Sequence, residues 1–98
     1  MRAPLALVSI LVAPILAAEQ VPQDVDGFLR RAELCAHFRQ EPWPEGTSPH
    51  DVERRGLILK QTERFCAGLP EESRHLREKY RDEPLVIKEL DKANGWDE

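Results

Sequence analysis

The chain has 98 residues, with 14 basic side chains against 18 acidic ones and a formal net charge of −4. That length supports one small domain with a modest core. An acidic excess with interspersed signs excludes the basic footprint that nucleic acid or an anionic membrane surface would need.

Residues 1–18 differ from everything after them. Met1-Arg2 is a short positive start, Ala3 to Leu16 is apolar apart from Ser9, and Ala17-Ala18 supplies small residues before Glu19. An apolar run of 14 residues is too short to cross a bilayer comfortably. The alternatives are an uncleaved anchor or a buried N-terminal helix, and Pro4 and Pro14 disfavour both. Residues 1–18 are therefore expected to be a signal peptide cut before Glu19, and 19–98 a single helical domain with flexible ends. Cleavage leaves 80 residues, keeps every acid and loses only Arg2, so the net charge becomes −5. The mature chain is expected to be periplasmic or secreted, with no stable membrane insertion.

Glu19 to Gln23 reads as a mobile polar lead. A helix follows from an Asp24 cap to about Arg39, with Val25, Phe28, Leu29, Ala32, Cys35 and Ala36 on one face. Arg30, Glu33 and His37 point away, and Leu34 and Phe38 widen the apolar arc. Glu41-Pro42 ends this helix, because a residue before proline is pushed out of helical geometry. Pro42 to Thr47 is a loop by composition. The next helix has Ser48 as its cap, Pro49 in the first position, Asp51 in the third and Gly68 beyond its end. Val52, Ile58, Leu59, Thr62, Phe65 and Cys66 share one arc of it, while Arg54, Lys60, Gln61 and Arg64 lie outside. The rest of the chain is expected to organise around this element.

Pro70-Glu71-Glu72 opens a third helix whose large apolar groups are Leu76 and Tyr80, with Arg74, Glu78 and Arg81 spaced for ion pairs. Pro84 starts a last helix carrying Leu85, Val86, Ile87 and Leu90, which stops at Asn94-Gly95. Trp96 is placed to fold back toward Leu90. No strand pattern survives, so the expected fold is all-α, a small bundle of three to four helices stapled by one disulfide.

The staple is Cys35–Cys66, since two cysteines in an exported chain predict a bond between them. A straight hairpin conflicts with it: four turns would separate the two residues by roughly 20 Å, and a disulfide spans less than about 7 Å between Cα atoms. A steep crossing, an early break in the first helix, or a loop running back along the core would each remove the conflict. Closing this loop is worth roughly 3–4 kcal/mol on the chain-entropy model. The rival use of the same residues is a zinc-type set of Cys35, His37 and Cys66 with His50 or His75. Its spacing is not that of a finger, and oxidation removes the thiolates; no metal or other cofactor is expected.

No glycine-rich phosphate loop, paired catalytic carboxylates or Ser/His/Asp set is present, and 80 residues leave little room for a substrate pocket. The chain is not expected to be an enzyme. Trp43, between two prolines in an acidic loop, either closes the core or contacts a partner. His37 and Glu41, one turn apart beside that loop, are the polar candidates for the same contact. Arg54-Arg55 reads as a solvated helix face.

Cys35-x-His37-Phe38-x-x-Glu41, Asp51-x-Glu53-Arg54-Arg55, Cys66 and Lys79-Tyr80-x-Asp82-x-Pro84 together resemble a type of small exported bacterial protein with no assigned function. The resemblance covers roughly residues 34–90. It departs at Gln40, where the pattern has glycine, and in the longer Trp43–Pro49 loop. It implies export and a two-cysteine core, and brings no activity. The expected function is that of an exported binding or accessory protein, inhibitor-like or immunity-like, acting on an envelope or secreted protein. The alternatives are a periplasmic metal-binding protein using Cys and His ligands, and a structural envelope component.

Overall fold

The computed structural model describes residues 21–97, so the expected signal segment 1–18 lies outside the described residues. The fold is all-α. Four helices, α1 (Gln23–Arg39), α2 (Pro49–Cys66), α3 (Leu69–Lys79) and α4 (Pro84–Lys92), are joined by short connections, and there is no strand among the described residues.

The hub is α1 rather than the Ser48–Gly68 helix. Val25, Phe28, Ala32 and Cys35 form its buried stripe and pack against Leu69 and Leu76 of α3 and Val86 and Leu90 of α4. The helix starts at Gln23 with Pro22 in the cap position, so Asp24 falls inside the first turn instead of capping it. Val21 already packs on the core, which makes the polar lead shorter than its composition predicts. Arg30, Glu33 and His37 are exposed, as the periodicity requires. Phe38 reaches α2 by stacking on Phe65 at 6.0 Å, whereas Leu34 remains exposed.

The Cys35–Cys66 disulfide is formed, with its Cα atoms 4.9 Å apart. The surrounding contacts show how the hairpin reaches this register. Arg31 lies beside Ala67, Cys35 is bonded to Cys66, Phe38 stacks on Phe65, and Glu41 meets Arg54. The two helices are thus antiparallel, but α1 stops halfway along its partner. The helix from Pro49 to Cys66 rises about 26 Å, of which Cys35 to Glu41 matches only about 9 Å. The irregular segment Pro42–Thr47 covers the remaining ~17 Å, within the ~3.3–3.6 Å per residue that extended chain can span. The chain takes a variant of the third way out: the loop runs back, but along the first turns of α2 and exposed, rather than along the core. Two prolines keep it from coiling into helix.

That path explains a second departure. Ile58 is buried and Thr62, Phe65 and Cys66 are half-buried, but Val52 and Leu59 are 54% and 61% exposed. They share the predicted arc, yet a thin loop rather than a helix runs beside this half of α2. The α2 cap is as read: Ser48 Oγ accepts from the Asp51 amide at 3.1 Å.

Ala67-Gly68 turns the chain directly into α3. Gly68 has φ +77°, and its carbonyl accepts the first bond of α3 from the Glu72 amide at 3.0 Å. This brings Leu69 into the core at 0% exposure, a core residue that the reading from Pro70 onward missed. Arg31 holds the corner, donating to the Ala67 carbonyl at 3.3 Å and to Glu72 Oε1 at 2.5 Å. On α3, Glu78 pairs with Arg81 while Arg74 turns to Glu71. On α4, Val86 and Leu90 are buried and Leu85 is exposed.

Gly95 has φ +84° and sends the chain across α1. Trp96 consequently packs on the core cluster that includes Leu90 and stands edge-on to Phe28 at 5.7 Å. Its carbonyl accepts from Arg39 Nη1 at 3.1 Å. Both glycines need a left-handed backbone, but their surroundings differ. Nothing would lie within 4 Å of a Cβ at Gly68, while one at Gly95 would meet Gln40 Nε2 at 2.6 Å and Ala36 Cβ at 3.1 Å. Gly68→Ala is therefore predicted to cost about 1–2 kcal/mol, the left-handed penalty alone, and Gly95→Ala about 1 kcal/mol more through crowding. Urea midpoints of the two variants check this; equal losses would contradict the close packing at Gly95.

Candidate functional site

The loop that the hairpin register requires also presents the tryptophan. Two arginines position it. Arg54 Nη2 donates to Glu41 Oε2 at 2.7 Å, and Arg55 Nη1 donates to the carbonyls of Pro44 and Gly46 at 2.6 and 2.8 Å. Arg54 and Arg55 are thus clamps on the loop, a correction to their reading as a solvated face. The fork of a guanidinium suits this use, because one side chain can satisfy two carbonyls that no backbone ladder reaches.

Trp43 is 47% exposed and not part of the buried core. It lines an open groove of about 430 Å³ with Phe38 and Gln40 from the end of α1 and Ile58, Leu59 and Thr62 from α2. Trp43 and Leu59 put large apolar area into solvent on either side of it. Glu41 lines the same groove, its side chain only 17% exposed.

His37 is separated from this face. Its Nε2 is 3.2 Å from Glu41 Oε1 and its ring stands edge-on to Phe38, but its outer side lines a different groove, between α1 and α4. That second groove is about 730 Å³, floored by Leu29, Ala32 and Ala36 and rimmed by Glu33, Glu89 and Lys92. Both depressions are open grooves lying between helix ends. Gln40 borders each and separates them.

With Cys35 and Cys66 bonded, the zinc-type set loses both sulfur ligands. Among the described residues, no three His, Cys, Asp or Glu side chains are grouped to hold a metal ion. No helix of the described residues is long and apolar enough to cross a membrane.

The residues carrying the sequence resemblance hold the fold together. Cys35 is bonded to Cys66, Phe38 stacks on Phe65, and Glu41 bridges His37 and Arg54. Lys79 and Tyr80 grip Asp24 at the start of α1: Lys79 Nζ donates to Oδ2 at 2.7 Å and the Tyr80 hydroxyl to Oδ1 at 2.9 Å. No protein-family model, curated protein or solved structure matches the chain.

The Asp24 clasp has a pH signature. The hydrogen bond from Lys79 holds the Asp24 carboxyl below its usual range, helped by Tyr80 and by the Val25 amide against the effect of burial. The same bond raises Lys79, and burial followed by the bond to Asp24 raises Tyr80. A lowered carboxyl favours folding above its unfolded pKa and loses that contribution as pH falls through the lowered value. The raised lysine and tyrosine contribute below their unfolded values and lose that contribution as pH rises through the raised ones. The stability gap between wild type and Asp24→Asn is therefore predicted to be flat across neutral pH and to shrink below about pH 4 and above about pH 10. Denaturation midpoints over pH check it; a gap independent of pH would contradict the clasp.

Proposed function

We propose that this is a small exported helical binding or accessory protein, non-enzymatic in the manner of an inhibitor or immunity-type protein. Its partner is an envelope or secreted protein, docked through the Trp43 face. The observation that carries this reading is the half-exposed Trp43 on a clamped loop, beside the exposed Leu59. A tryptophan held rigid before binding loses little conformational freedom on docking, and interface energy concentrates in such residues. Export is supported by the apolar segment 1–18 and by a disulfide, which persists in oxidising compartments. The resemblance to small exported proteins is in keeping with it. Metal handling is disfavoured because both thiolates are committed to each other.

Affinity capture from an envelope fraction tests the reading, with wild type, Trp43→Ala and Leu59→Asp as parallel baits. Each substitution is predicted to lower stability by no more than about 1 kcal/mol. Each is also predicted to weaken capture of the same partner by about tenfold or more. Undiminished capture, or a large fall in melting temperature for Trp43→Ala, would instead make the tryptophan a structural residue.

A further inference from the structure

All the residues of the buried core cluster come from α1, α3 and α4. Helix α2 supplies only Ile58 as a buried residue of its own, with Phe65 and Cys66 resting on the cluster from outside. Among the helices it packs on α1 alone, and although that pair is the most extensive in the molecule, α2 has no substantial contact with α3 or α4. Its other holds do not reach the core: Arg55 binds carbonyls of the preceding loop, and Arg54 binds Glu41, just beyond the end of α1. At the opposite end, Arg31 pins the Ala67 corner next to Gly68, which has open space around it. The arrangement is an arm on a pivot, and the covalent link at the pivot end of the arm is Cys35–Cys66.

From this we infer that α2 and its loop form a releasable arm, freed when Cys35–Cys66 is reduced, while α1, α3 and α4 stay folded. Cys35 is fully buried and Cys66 half-buried, so the sulfur open to attack is that of Cys66. A thiolate of a dithiol reductant bonds to Cys66 Sγ, the disulfide breaks, and Cys35 Sγ takes the electron pair and then a proton. The second thiol of the reductant displaces Cys66 from the mixed disulfide, leaving two cysteine thiols and an oxidised dithiol. An 18-residue helix without its anchor is marginal in water, so the freed arm frays. Release also dismantles the Trp43 groove, whose walls come from both α1 and α2. That consequence bears on docking only through the reading above; release of the arm does not depend on it.

Hydrogen exchange read by mass spectrometry on the full chain, before and after reduction with dithiothreitol, tests the arm. Amides of residues 50–66 are expected to exchange roughly 100-fold faster on reduction. Those of 26–36, 73–79 and 87–92 should stay within about threefold of their oxidised rates. Cys35→Ala/Cys66→Ala, measured without reductant, should give the same segmental pattern. Loss of protection in all four helices together would overturn the inference, as would unchanged protection in 50–66 after the thiols are shown to be free.

Discussion

The structure depends on one covalent constraint. Joining Cys35, near the end of α1, to Cys66, at the end of α2, forces two helices of similar length into a half-overlapped register. The chain between them must then descend a distance that α1 does not cover. Pro42–Thr47 does this as irregular chain, and its exposed carbonyls need partners that neither helix backbone can offer. Arg55 meets that need at Pro44 and Gly46, and Arg54 holds the Glu41 carboxylate at the start of the segment. The bond thus sets the path of the loop, and the loop sets where Trp43 stands.

The same register divides the molecule energetically. Where α1 is flanked by α3 and α4, side chains fall to 0–1% exposure, as at Val25, Phe28, Leu69 and Leu90. Where α2 outruns α1 there is no facing helix, and Val52 and Leu59 keep apolar surface in water. Burial is what makes apolar periodicity stabilising, at about 25 cal/mol per Å² removed from water. The first half of α2 gains little of it. Its helical form leans instead on the Ser48 cap, Pro49 and the clamps on the loop.

Much of this was legible in the sequence, for reasons that are local. Proline, serine and glycine at helix boundaries act through their own backbone geometry, so all four helices and both left-handed glycines could be placed. The cysteine pairing followed from number and compartment. What could not be read was tertiary. Periodicity says which residues share a face, but not whether that face meets a helix or a loop, so Val52 and Leu59 were put in the core. The same limit hid α1 as the hub, since a stripe of four small and large residues around Cys35 looks no different from that of α2. Leu69 was lost by starting α3 at Pro70, and the edge-on contact of Trp96 with Phe28 was not foreseen. At the candidate site Trp43 and Glu41 were named and are found together. His37 belongs to the neighbouring groove, and no spacing rule could have shown that Gln40 separates the two.

The residues of the C-x-H-F-x-x-E and K-Y motifs have the same logic. Cys35, Phe38, Glu41, Lys79 and Tyr80 each join segments distant in sequence, and none of them is left free to do chemistry. These side chains are clasps of the fold, and Trp43 with its loop lies outside that set. The most direct test of the account is the linkage itself. Digestion without reduction, followed by mass mapping, should recover the Cys35 and Cys66 peptides as one cross-linked species from monomeric protein. Two free thiols, or a bond between two chains, would contradict the register on which the loop, the arm and the Trp43 face all rest.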